Sequence, residues 1–283
     1  MSAVPGIVAA PGSFLGEVRK LPAFARRDLL IAWSYRGAFV GEWLALFSGA
    51  LTFYFVGLMV DETTLPSYGG SRATYMEFVA AGIALAAFIQ LGLGRLGAAL
   101  RGEQLTGTLE SLMMTPTSLG TVQIGSAAYD LIYIPVRTAL FFAIIAVAFG
   151  LHFEPSGIGP AAVSLVLFIP FVWGLGVTSA ALTLTFRRGS GAFAFAVSAL
   201  IVASGAFFPL TLLPDWIASL ARFNPVSLAV NGLRKPLLGG GWAGVWPEAL
   251  LLAPVSIAAL VAGLYAFRLA LRREQQRGSL GLY

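Results

Sequence analysis

Six stretches of this chain are apolar over a length that matches the hydrocarbon of a bilayer, and no other feature narrows the possible folds as far. A helix needs about 20 mostly apolar residues to cross ~30 Å of lipid. The stretches that meet or approach this run at about Ala38–Val60, Tyr75–Leu96, Leu131–Leu151, Ala161–Phe186, Gly191–Phe208 and Trp246–Leu269. A leading stretch from Leu119 reads as a tilted or interfacial approach to the third. Only 11% of the 283 residues are charged and 58% are hydrophobic, whereas a soluble domain carries roughly a quarter charged residues. That is too little charge to solvate an ordinary surface, so the fold class expected is an all-α polytopic membrane protein with six spans.

Charge in the connections sets an expected orientation. Arg19, Lys20, Arg26, Arg27 and Arg36 precede the first span; Arg95 and Arg101 follow the second; Arg187 and Arg188 follow the fourth; Arg268, Arg272, Arg273 and Arg277 follow the sixth. These are 13 of the 18 basic residues. Arg72, Arg222, Arg234 and Lys235 fall on the other side, and Arg137 lies within a span. Basic residues concentrate in cytoplasmic loops, which predicts a plasma-membrane protein with both termini cytoplasmic. The same placement, at the ends of apolar blocks, argues against nucleic acid as the partner of these cations.

Several chemistries are excluded or left without support. The chain has no cysteine and one histidine, His152, so a thiolate nucleophile, a disulfide framework and a multi-histidine metal site are out. The glycine-rich Gly239-Gly240-Gly241-Trp242 lacks the lysine and hydroxyl of a phosphate-cradling G-x-x-x-x-G-K-[ST] loop, so any ATPase would be another chain. No internal repeat supports an inverted-repeat carrier, and no cluster of polar groups at one depth supports an intramembrane enzyme. Residues 1–13 carry no positive charge and are broken by Pro5, Gly6, Pro11 and Gly12. They read as a flexible cytoplasmic tail rather than a signal peptide.

Two polar segments frame the first two spans. Residues 14–36 alternate cations with Phe24, Leu29, Ile31 and Trp33, the pattern of an amphipathic helix lying in the headgroup plane. That helix is either a plain anchor or a contact surface for a cytoplasmic partner. Between the second and third spans, Leu105, Leu109, Leu112 and Met113 recur on one helical face while Glu103 and Glu110 keep the other wet. Pro116 closes the segment. Such a helix is either an ordinary interfacial loop or a lever on both spans that it joins.

The run Gly102-Glu103-Gln104, Gly107-Thr108-Leu109-Glu110-Ser111-Leu112 and Thr115-Pro116 resembles the cytoplasmic motif of ABC-2-type permeases. Arg27-Asp28 and Ser34-Tyr35-Arg36 near the start are similar to the same family, as are Gly205, Phe207-Phe208-Pro209, Leu213-Pro214, Trp216, Phe223-Asn224-Pro225 and Leu233-Arg234. The resemblance covers most of the chain in the right order; Arg137 inside a span departs from it. It implies a non-catalytic membrane subunit, two copies per transporter, and two cytoplasmic ABC ATPase subunits that bind the ATP and magnesium. Residues 14–36 become the interface helix and about 103–115 the coupling helix, with Arg26, Arg27, Asp28, Glu103, Leu109, Glu110, Leu112 and Met113 as ATPase-coupling residues. The domain reading is then tail 1–13, interface helix 14–36, six-span domain 37–272 and cytoplasmic tail 273–283.

After the fifth span, Pro209 ends the helix, Pro214-Asp215 opens a short one with Asp215 as N-cap, and Asn224-Pro225 opens another as cap and first helical residue. Trp216, Leu220 and Phe223 share a face of the first. Short apolar helices either lie in the interface or dip in and return. The family resemblance implies a dip that seals the exit side, with Pro209, Pro214, Trp216, Phe223, Asn224 and Pro225 as the gate.

Ionisable groups in lipid point to protein contacts or function. Asp130 and Arg137, seven apart, share a face, and Arg137 is the deeper. Arg137 is expected to face the subunit interior, holding either a structural partner or an anionic substrate. Glu42 and Glu77 are read as reaching the interface from span ends, and Gly82/Ala86 and Gly176/Ala180 as close-packing pairs. The function expected is export of an amphipathic or hydrophobic molecule, drug-like or lipid-like. The alternatives are a lipid-linked polysaccharide cargo and, more distantly, a secondary carrier with no ATPase.

Overall fold

The computed structural model describes residues 22, 26, 29, 30, 34, 36–61, 65–68, 71–105, 119–185 and 190–277, with backbone alone for 38, 71, 72, 95–105, 119–132, 184, 190, 271, 274, 275 and 277. Its elements in order are α1 (Arg36–Gly57), a two-residue antiparallel ribbon of β1 (Ser67–Tyr68) and β2 (Ser71–Arg72), α2 (Tyr75–Leu105), α3 (Leu119–Phe149), α4 (Ile158–Thr185), α5 (Ser190–Val202), α6 (Asp215–Ala221), α7 (Pro225–Lys235) and α8 (Trp246–Arg277). Among the described residues, four helices are long and apolar enough to cross a membrane, over Phe39–Gly57, Tyr75–Gly94, Pro155–Thr183 and Trp246–Ala270, and two shorter apolar helical stretches are Tyr133–Phe149 and Gly191–Val202. The chain is thus an all-α polytopic membrane protein apart from the ribbon.

Contacts fix the running directions. On α1 and α3, Phe39 meets Tyr133, Phe47 meets Phe141 and Tyr54 meets Phe149, so the two run parallel. On α2 and α4, Phe88 meets Phe168 edge-on at 5.9 Å and an added Cβ on Gly92 would strike Val172, again in step. Gly174 lies against the backbone of Ala259, and Val177, Ala180 and Ala181 cluster with Phe267 and Ala270, so α4 and α8 are parallel too. Gly57 at the end of α1 lies against Tyr75 at the start of α2, and Leu46 and Ala50 share a cluster with Phe78, Val79 and Ile83, so α1 runs antiparallel to α2. The amino end of α1 and the carboxyl ends of α2, α4 and α8 therefore share one end of the bundle. Arg36, Arg95, Arg101, Arg268, Arg272, Arg273 and Arg277 gather there, and this is called the basic end below. Because α4 and α8 point the same way, the chain between Thr185 and Trp246 must return along the bundle.

That return is not one helix. The fifth apolar block was expected to be helical to Phe208, but α5 stops at Val202. Gly205 adopts φ +73°, a left-handed conformation that ends a helix and suits glycine. Ser204 reinforces the stop: its Oγ donates to the Ile201 carbonyl and accepts from the Ala206 amide. At 13 residues, α5 covers about 20 Å at 1.5 Å per residue, short of the hydrocarbon thickness.

Other boundaries also differ from expectation. The second helix includes Glu103 and is described as far as Leu105; residues 106–118, with Leu109, Glu110, Leu112 and Met113, lie outside the described residues. The last helix continues to Arg277, into what was read as a tail. The third is continuous from Leu119 through Pro135 to Phe149, a proline that a membrane helix tolerates when neighbours re-satisfy the freed carbonyl.

The helix starts are well specified. At α2, Thr74 and Glu77 form a reciprocal capping box: the Glu77 amide donates to Thr74 Oγ1 (3.3 Å), and Glu77 Oε2 accepts from the Thr74 amide (2.8 Å). Glu77 Oε1 also accepts from the His152 amide at 2.9 Å, tying α2 to the turn after α3. The carboxylate expected at the lipid interface is instead buried, 9% exposed.

The core forms where α2, α4, α7 and α8 meet, with Leu85, Phe88, Ile89, Phe168, Val172, Val226, Val230 and Leu252 fully or nearly fully buried. Within the spanning windows, 72% of α2 is buried against only 11% of α1. So α2 is the central post, and α1 a peripheral helix.

Candidate functional site

An open groove of about 390 Å³ lies between peripheral α1 and central α2. Helical spacing makes it. Glu42, Ala45, Leu46, Gly49 and Phe53 line up on one face of α1, and Ile83, Ala86, Ala87, Gln90 and Leu91 on one face of α2. Alanine and glycine at Ala45, Gly49, Ala86 and Ala87 leave the space; a side chain at Gly49 would meet nothing within 4 Å. Arg137 of α3 and Phe207, from the turn after α5, complete the lining.

Polarity in the groove is segregated. Antiparallel packing places Glu42 of α1 beside the Gln90–Leu91 level of α2, and Arg137 reaches the same level, its Nη2 donating to the Glu42 carbonyl at 3.2 Å. Toward the other end the walls are Phe53, Ile83 and Phe207, with the Phe53 and Phe207 rings stacked at 5.0 Å. From Glu42 to Phe53 is eleven residues, about 16 Å along the helix.

Arg137 and Glu42 are each held by neighbours. Arg137 is 6% exposed and its guanidinium lies 5.7 Å from the centre of the Trp43 ring, a cation–π distance. Tyr133 Oη donates to Glu42 Oε2 at 3.3 Å. Arg137 thus faces the subunit interior as expected. Asp130 lies on the same helix, with its side chain outside the description. Glu42, read from sequence as an interfacial residue, is half-buried and shares the groove with Arg137.

The hairpin after α5 occupies the opposite end. Asn224 is the N-cap of α7 as expected: its Oδ1 accepts from the Val226 amide at 2.9 Å, and its Nδ2 donates to the Leu200 carbonyl at 2.8 Å, tying α7 to α5. Pro225 takes the first helical position. For α6 the N-cap is Pro214, and Asp215 is already inside the helix with no side-chain cap bond. Pro209 is buried, while Trp216 and Phe223 are 67% and 72% exposed. The six residues expected at the gate are therefore split, with Pro209 and Asn224 buried, Pro225 half-buried, and Pro214, Trp216 and Phe223 exposed.

Helix α7 is buried along nearly its whole length, and at its end stands Arg234, 4% exposed. Sequence reasoning counted it as a loop charge. Its Nε donates to the Phe78 carbonyl (2.9 Å) and its Nη2 to the Gly205 and Ala206 carbonyls (3.2 Å each). The guanidinium also lies over the Phe78 ring at 3.6 Å. One side chain so satisfies the carbonyls exposed where α5 breaks, and pins that break to the first turn of α2. The available signal was its position after an Asn-Pro-led helix, ten residues beyond the cap.

Pro22, Arg26, Leu29, Leu30 and Ser34 are helical and exposed, with Ser34 Oγ bonded to the Leu30 carbonyl. Arg27 and Asp28 lie outside the described residues.

The family model described as "ABC-2 type transporter" matches residues 22–238. The inner membrane transport permease YadH of Escherichia coli (strain K12) is 25% identical over 194 residues, covering 67% of this chain and 73% of that protein. Proteins of the same name in Escherichia coli O157:H7 and Shigella flexneri match to the same extent.

Proposed function

Since this chain belongs to the ABC-2 type transporter family, and is accordingly a membrane-integral transport subunit that works with an ABC ATPase, we propose that it is the permease of an ATP-driven exporter for an amphipathic or hydrophobic small molecule. Two copies, each with six spans and both termini cytoplasmic, pair with two ATPase chains that hold the nucleotide and magnesium. The parallel course of α4 and α8 supports the even count, because the chain between them has to return. Clustering of arginines at one end supports the orientation.

The observation that carries the cargo reading is the groove between α1 and α2. It is apolar over most of its length and polar at one end, and its volume of about 390 Å³ is within the ~300–1,000 Å³ of small-molecule sites. Binding and closure of the ATPases would press on the interface helix (residues 14–36) and the coupling helix (about 103–115). The second of these segments follows α2 in the sequence, and α2 forms one wall of the groove and receives Arg234 at its far end. A push there moves wall and gate together. No bond is made or broken in this chain.

The test is reconstitution with and without the ATPase. Export into vesicles should require the ATPase and ATP, and Glu110→Arg should reduce transport about tenfold or more, by placing a like-charged or clashing group at the contact, without reducing expression. Transport that proceeds without any ATPase would overturn the proposal.

A further inference from the structure

Resting on that reading, we propose that the cargo is a single-chain amphiphile with a zwitterionic head, seated head toward the basic end at Glu42 and Arg137 with its chain running toward Phe53 and Phe207. The groove itself has this polarity. Its ionisable and amide lining groups, Glu42, Gln90 and Arg137, share one level, and the remaining lining is alanine, glycine, leucine, isoleucine and phenylalanine.

Charge complementarity selects the head. The two formal charges among the groove's described lining residues are opposite, so their sum is zero. A net-anionic head would meet the Glu42 carboxylate as well as the guanidinium, and a net-cationic head would meet Arg137. Either mismatch is costly where lipid replaces water. A head carrying both signs places its anion on Arg137 and its cation on Glu42. Trp43 and Tyr133 hold these two groups in position, so the site is pre-ordered for a ligand of that shape.

A second copy of this chain is the competing occupant of an open groove. Its own α1, the peripheral helix, is a poor match. Between Arg36 and Asp61 the sole charged residue is Glu42, so a partner α1 brings apolar faces and one anion to a level that presents both signs. An amphiphile matches the full length.

The experiment uses permease in nanodiscs and a photoactivatable single-chain alkyl phosphocholine bearing a diazirine near the chain end. Competitors of equal chain length are dodecylphosphocholine, dodecyl phosphate and dodecyltrimethylammonium. The zwitterion should compete at about tenfold lower concentration than either ion, and label should map to peptides containing Phe53 or Phe207. Glu42→Gln should shift preference to the anionic competitor and Arg137→Gln to the cationic one. Gly49→Leu, which fills open space in the groove, should abolish labelling while leaving the melting temperature in place. Even if Arg137→Gln fails to fold, the Glu42 and Gly49 variants decide the matter. Equal competition by all three heads, or labelling outside the groove, overturns the inference. So does efficient Gly49→Cys crosslinking between two copies with groove labelling absent. Loss of head preference with ATP-driven export intact refutes this inference alone; retained preference without ATP-dependent export refutes the function proposed above.

Discussion

Arg234 offers the sharpest test of how the broken return segment is held. Arg234→Met keeps an unbranched apolar stem and removes the guanidinium. Three backbone carbonyls then lose a donor: Phe78 on α2, and Gly205 and Ala206 just past α5. A buried acceptor left unsatisfied costs about 1–3 kcal/mol. Because the Gly205 and Ala206 carbonyls share one amino group, they count as little more than one bond. The variant also escapes the desolvation of a buried cation, which offsets part of the loss. The balance is about 3 kcal/mol, borne locally by the turn rather than by the α2–α4–α8 core, and equivalent to about 100-fold in an opening equilibrium. Hydrogen–deuterium exchange in nanodiscs reads this directly. Peptides covering residues 203–213 should exchange about 100-fold faster in Arg234→Met, with peptides from the middle of α4 unchanged. Arg234→Lys should fall in between, since an ammonium cannot fork across the same carbonyls. Unchanged exchange over 203–213 would refute the reasoning. Equal acceleration across α4 and α8 would refute its local character.

Asn224→Ala removes both the cap on α7 and the donor to Leu200, and should cost about 1–3 kcal/mol, read as a lower melting temperature in the same nanodiscs. Gly174→Leu drives a side chain into the Ala259–Leu260 backbone and should abolish the folded peak in size-exclusion chromatography, whereas Gly94→Leu, which meets nothing within 4 Å, should not. The chain lacks cysteine, so single cysteines report topology cleanly: Ser67→Cys should react with an impermeant thiol reagent applied outside intact cells, and Ser118→Cys should not.

Length and polarity made the helical blocks legible, because a bilayer punishes any other arrangement of that many apolar residues. The start of α7 was legible for a local reason: Asn-Pro encodes cap and first residue in two adjacent positions. Thr74–Glu77 carried an equally local signal, threonine followed three residues later by glutamate, although Glu77 was read as interfacial. Two features had no local signal. The end of α5 lies inside an unbroken apolar run, so hydropathy carries on to Phe208 while the backbone turns at Gly205. The groove is assembled from three helices, and no spacing within one segment shows that Glu42, Gln90 and Arg137 share a level. Asp215 failed as a cap because Pro214, with φ −53° and ψ 144°, already occupies the capping position.

These two hidden features are linked. A chain that stops being helical at the depth of Gly205 exposes carbonyls that lipid cannot satisfy, and such breaks persist only where protein supplies the donors. Arg234 supplies them from α7, whose own start is held to α5 by Asn224. The stop in α5 is therefore held by a buried α7 that carries a cation at its end. The turn so fixed also delivers Phe207 to the apolar end of the groove, stacked on Phe53. On the function proposed above, a movement of α2 that strains the Arg234–Phe78 contact would displace that ring and, with it, the wall of the groove farthest from the basic arginines.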